Sequence, residues 1–169
     1  DTSNVNFDAG DVTPNLVVCK IGDGGRITID GHGTGAHVIG DVFGYFSGAG
    51  CQLRTLPPQR LLDTREGKGA ELRPVGSEPV RLVVGGQAQI PAGAAAVVLN
   101  VTATNVSGPS YVTVWPDGEQ QPKTSNLNVV AGQTVANLVI CRLGEGGALR
   151  LASPLASCDL IADALGYFM

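Results

Sequence analysis

The sequence predicts an all-β protein, an antiparallel β-sandwich with an internal duplication in which residues 1–47 repeat residues 123–169. Three observations lead there. No stretch of about 12 residues keeps the 3.6-residue apolar period of an amphipathic helix. Short apolar runs rich in Val, Ile, Leu and Thr recur instead, divided by turns rich in Gly and Asp. The chain also aligns with itself, without a gap, at an offset of 122 residues.

The duplication gives 18 identities over 47 aligned positions. TSNVNFDAG (2–10) lies on TSNLNVVAG (124–132), NLVVCKIGDGG (15–25) on NLVICRLGEGG (137–147), and VIGDVFGYF (38–46) on LIADALGYF (160–168). Residues 1–47 therefore read as the C-terminal part of a preceding repeat, and residues 48–169 as one complete repeat. The partial copy either belongs to a longer array or completes its core by packing onto the full repeat.

Taken in order, VNF (5–7), NLVVCKI (15–21), RITI (26–29) and HVIGDVFGYF (37–46) read as strands of the partial copy. GDGG (22–25) is the hairpin turn, where glycine supplies positive φ. In the full repeat VRLVVG (80–85), AAAVVLNVTAT (94–104) and YVTVWP (111–116) read as strands. They precede NLVICRL (137–143), the turn GEGG (144–147), ALRLA (148–152) and CDLIADALGYF (158–168), for about seven strands in all. Loops fall at 105–110 and 116–125. Within 97–104, Val97, Leu99, Val101 and Ala103 share one face, while Val98, Asn100, Thr102 and Thr104 share the other, half-polar face. Two sheets packed face to face are expected.

Composition narrows the function classes. Of 169 residues, 43% are hydrophobic, 15% are charged and the net charge is −4, which excludes a disordered chain. Glycine, at 24 residues, has no three-residue period, which excludes collagen. No apolar run reaches the ~18 residues of a membrane helix, so no membrane insertion is expected. The acidic balance gives no basic footprint for nucleic acid. The chain opens at Asp1 without a signal segment, as a mature product or a fragment would.

Cys19, Cys51, Cys141 and Cys158 show no CxxC spacing, so a zinc site is not indicated and two disulfides in an oxidising compartment are expected. Four cysteines allow three connectivities. Cys141 and Cys158 flank ALRLA, and Ala36 stands where Cys158 stands in the full copy, which leaves Cys51 for Cys19. The preferred pairing is therefore Cys141–Cys158 and Cys19–Cys51.

RLLDTREGKGA (60–70), AAVVLNVTATN (95–105), YVTVWPDG (111–118), TSNLN (124–128) and LGYF (165–168), in this order, resemble a tandem β-rich repeat of secreted and cell-surface bacterial proteins, especially those of actinobacteria. The resemblance covers the whole chain. It implies an accessory, surface-exposed module rather than a catalyst, with an extracellular or cell-surface location. The cysteines depart from that family's usual pattern.

No residue set indicates catalysis. GxSxG, Walker and HExxH motifs are absent. His32 and His37 align with Pro154 and Asp159, so a His-dependent mechanism is not a property of the repeat. With Asp30 they offer a conceivable metal pair, but they read more simply as surface imidazoles. Asp41 and Asp163 occupy equivalent places on apolar strands, where a buried carboxylate needs a partner. RLLDTR supplies Arg60, Asp63 and Arg65, so Asp163 is expected to pair with Arg60 or Arg65 as a structural ion pair. A carboxylate dyad for glycoside hydrolysis is the weaker reading. No cofactor is expected. The loops GDGG (22–25) and PDGE (116–119) are weak Ca²⁺ candidates that lack ordered ligand spacing. NVT (100–102) and NVS (105–107) match the glycosylation sequon but read as strand and turn residues.

Tyr111, Thr113 and Trp115 alternate with Val112 and Val114. If the valines face the core, the other three form an outward platform able to hold a sugar ring, unless a loop covers it. Tyr45–Phe46 and Tyr167–Phe168 end their strands and read as core plugs. Two functions follow. The first is a non-catalytic extracellular binding module for a glycan or cell-wall polymer, carried by the platform. The second is a structural stalk or adhesive repeat that self-associates through unpaired strand edges. Burial of Trp115 would favour the second.

Overall fold

Residues 96–104 set the pattern for the rest of the structure, a computed structural model that describes residues 3–31, 33 and 35–169. They form β3 (Ala96–Thr104), whose Val97, Leu99, Val101 and Ala103 are wholly buried while Asn100, Thr102 and Thr104 are half-buried. β3 is one of the two inner strands of a sheet ordered β1–β8–β3–β6, with β1 (Leu53–Asp63), β6 (Val135–Arg142) and β8 (Asp159–Phe168). The second sheet is ordered β2–β7–β4–β5, from β2 (Val80–Val83), β4 (Ser110–Pro116), β5 (Leu127–Val129) and β7 (Ala148–Ala152). Every ladder is antiparallel. The protein is thus an all-β sandwich, with Leu62, Leu82, Leu99, Val112, Leu127, Leu149, Leu151 and Leu160 in one core.

β1 escaped the sequence reading because Pro57 and Pro58 stand in its middle. Proline has no N–H for the ladder and is tolerated at sheet edges and irregularities. β1 is an edge strand, and its register against β8 shifts between Thr55 and Gln59, where the two prolines lie.

The partial copy behaves differently. The strands expected at 5–7, 15–21, 26–29 and 37–46 do not form among the described residues. Among the described residues between 3 and 52, only Pro14 and Leu16 are even half-buried. A strand needs a neighbour for its backbone groups, and an isolated hairpin is marginal in water. The counterparts at 137–168 have β1, β2, β3 and β4 as neighbours, whereas the described residues hold no second set of such strands for residues 15–46. The local turn nevertheless survives. Asp23–Gly25 and Glu145–Gly147 are matching 3-10 turns, with Gly24 at φ 70°, ψ 18° and Gly146 at φ 62°, ψ 23°. The Gly22 N–H donates to Arg26 O, and the Gly144 N–H to Ala148 O, both at 2.9 Å. Against the sandwich, Phe46 rests on Phe168 with ring centroids 5.9 Å apart.

The expected disulfides are corrected: all four cysteines are free thiols, Cys141 and Cys158 buried, Cys19 and Cys51 exposed. Register explains the first pair. Cys141 lies opposite Val97, at the start of β3, whereas Asp159, next to Cys158, lies opposite Thr104 at its end. The two cysteines are therefore separated by β3 and by most of its length, on the order of 20 Å at ~3.3 Å per residue. A disulfide requires Cα atoms within about 7 Å. Cys19 has no strand around it to present it to Cys51.

Candidate functional site

The sequence RLLDTR brings two arginines and a buried aspartate to one end of β1. Arg60 lies opposite Asp163 in the β1–β8 ladder. Its Nε donates to Asp163 Oδ1 at 2.8 Å and its Nη2 to Oδ2 at 3.1 Å, a bidentate pair that fastens the edge strand to its neighbour. Its Nη1 also donates to Asp63 Oδ2 at 3.1 Å. Asp63 is wholly buried, where an unpaired carboxylate would be costly. Arg65 supplies its Nε at 2.9 Å, its Nη2 at 2.7 Å and its backbone N–H at 3.2 Å. These bonds from Arg65 outweigh desolvation and hold the Asp63 carboxyl down at about 2. A general acid for glycoside hydrolysis needs a raised pKa, the opposite shift. Asp41 is exposed, outside any strand.

A second cluster was not legible in the sequence. Arg81 of β2 and Arg150 of β7 are directly opposite, a repulsive placement for like charges. Asp117, nearly buried after β4, accepts from both, from Arg150 Nε at 2.6 Å and from Arg81 Nε. Both guanidiniums lower its pKa, Arg150 first. One oxygen of Asp117 goes to each arginine, so the Asp117 carboxylate of the PDGE loop is engaged in an ion-pair network. The only signal for this was two arginines on otherwise apolar strands.

The aromatic platform is also corrected. Val112 and Val114 do face the core, but Thr113 is wholly buried and Trp115 is 4% exposed. The loop after β4 folds back over this face. Thr113 Oγ1 donates to Thr124 O at 2.8 Å, and Trp115 Nε1 to Glu119 O at 3.2 Å. The alternation therefore selects the face, while the loop 117–125 decides that it is covered. Tyr111 alone of the three is half-buried, and it lines a shallow cavity of about 570 Å³ with Gln121, Lys123, Thr124 and Ser125.

His37 is exposed, and His32 lies outside the described residues. Among the described residues no three His, Cys, Asp or Glu side chains come together to hold a metal ion. Asn105 of NVS donates to Asp159 Oδ2 at 2.8 Å, and Asn100 of NVT lies on β3 opposite Asp163. No helix among the described residues is long and apolar enough to cross a membrane. No known family model matches the chain, and no curated protein matches it.

Proposed function

We propose that the protein is a non-catalytic structural repeat of an extracellular or cell-surface protein, of the stalk or adhesive kind, that associates through its partial copy. The observation that carries this reading is the set of apolar side chains left exposed between residues 5 and 46, among them Phe7, Ile29, Ile39, Val42 and Phe46. Large exposed apolar patches on a folded chain mark association surfaces. The full repeat supports the same reading, because the Arg60–Asp163 pair and the Arg81–Asp117–Arg150 cluster clamp strands to one another, as a load-transmitting unit requires.

Sedimentation equilibrium tests it. The mass should rise above 17.3 kDa as concentration increases. A chain monomeric at every concentration would contradict it.

A glycan-binding module is the second reading, favoured by the half-buried Tyr111 beside Lys123 and Gln121 in the shallow cavity. A saturable response of the single Trp115 to soluble cell-wall fragments, lost in Tyr111→Ala, would bring that reading forward.

A further inference from the structure

We propose that residues 15–46 are a docking surface for a polypeptide segment of the kind formed here by residues 53–117, gripped partly by an arginine on Asp41. The proposal rests on the associating-repeat reading and names its partner.

The full repeat supplies the template. Ile27, Ile29 and Val38 are 57%, 63% and 63% exposed, yet their counterparts Leu149, Leu151 and Leu160 are wholly buried in the core of the sandwich. Apolarity alone would not name the occupant, but three other positions do. Asp41 aligns with Asp163, which receives the bidentate grip of Arg60 from β1. Gly44 aligns with Gly166, where an added Cβ would stand 2.6 Å from Arg54 O. Gly22 aligns with Gly144, where it would stand 2.1 Å from Asp117 O. Neither Gly166 nor Gly144 has the positive φ that would call for glycine, so both are glycine because another backbone lies against them. Around Gly44 nothing lies within 4 Å, and Gly22 meets only its own turn, at Arg26 O. The partial copy thus carries the glycines, the carboxylate and the apolar face suited to a β1-like strand and a β4-like strand end. Such a strand would run antiparallel to 37–46 with an arginine opposite Asp41, by β-augmentation.

The test joins a second copy of residues 48–122 ahead of residue 1 of the full chain and follows amide hydrogen exchange by mass spectrometry. In the extended chain, peptides from 15–46 should slow by about 100-fold or more, as amides entering a sheet do. Gly44→Ala should abolish most of that slowing while leaving exchange in the unextended chain unchanged. Asp41→Asn should reduce the slowing by about 5-fold, as loss of a partly exposed ion pair would. Equal exchange of 15–46 in both chains, with 53–168 still protected, would overturn the proposal. So would a slowing that Gly44→Ala leaves intact. Failure of the associating-repeat reading is separate, since it appears as a constant monomer mass of the unextended chain whatever the extended chain does.

Discussion

Residues 15–46 and 137–168 are two near-copies with opposite fates. Both carry NLV(V/I)C, a G(D/E)GG turn and an apolar strand ending in GYF. Both form the same 3-10 turn, because glycine φ/ψ preferences act locally. Among the described residues only the second copy forms strands, contributing β6, β7 and β8, and buries its side chains. The difference teaches that turn geometry is a property of four residues, whereas a strand is a property of its neighbours. β-propensity measures fit to a half-buried pleated surface, and without that surface it has nothing to act on.

Paired substitutions sharpen this contrast, beginning with the largest expected effect. Leu149→Ala removes a wholly buried side chain and should cost about 2–5 kcal/mol. Ile27→Ala, at the matching place, should leave the thermal melt of the monomer within about 0.5 kcal/mol of the parent. Equal losses would break the comparison.

Asp63→Ala should cost about 3 kcal/mol, because it leaves Arg60 and Arg65 without their buried partner. Acid should have a related effect. The Asp63 carboxyl sits at about 2 in the folded chain, against 3.8 as its ordinary value. A lowered folded pKa means stability that is fully present above the unfolded value and is lost as pH falls through the folded value. The melting temperature should therefore drop between roughly pH 4 and pH 2, with a shallower drop in Asp63→Asn. An identical acid profile in that variant would contradict the pairing.

A smaller effect belongs to Asp163→Asn, which weakens a bidentate pair that is partly exposed at the sheet edge. About 1 kcal/mol is expected. Asp41→Asn should change nothing in the monomer's melt, since Asp41 is exposed and outside any strand.

The sandwich was legible in the sequence because alternation and Gly-rich turns are local signals. Alternation in 97–104 marks the buried face of β3, and the turn GEGG marks the boundary between β6 and β7, although these lie in opposite sheets and the turn is a crossing between sheets, not the hairpin expected from the sequence. Three features were not legible, each for a non-local reason. β1 was hidden by Pro57 and Pro58, which its edge position and register shift accommodate. The strands of the partial copy carry the right pattern but lack neighbours. Trp115 has the outward parity of an open platform, yet whether that face is open depends on the 117–125 loop, whose path is set by bonds such as Thr113 to Thr124. The Asp117 cluster draws on residues 81, 117 and 150, which become neighbours only once β2, β7 and β4 are paired.

Cys19 and Cys141 are matched thiols in matched sequence, and their alkylation rates test the central contrast most directly. Cys19 is exposed, while burial pushes the Cys141 thiol up to about 12 from its ordinary value of 9.0. Relative to a thiol at that ordinary value, the reactive thiolate of Cys141 should be scarcer by on the order of 10³, before its shielding is counted. Iodoacetamide followed by peptide mapping of the monomer should find Cys19 modified at the rate of a free thiol and Cys141 untouched until denaturant is added. Equal rates at the two sites, or neither thiol available because both are oxidised, would contradict the account.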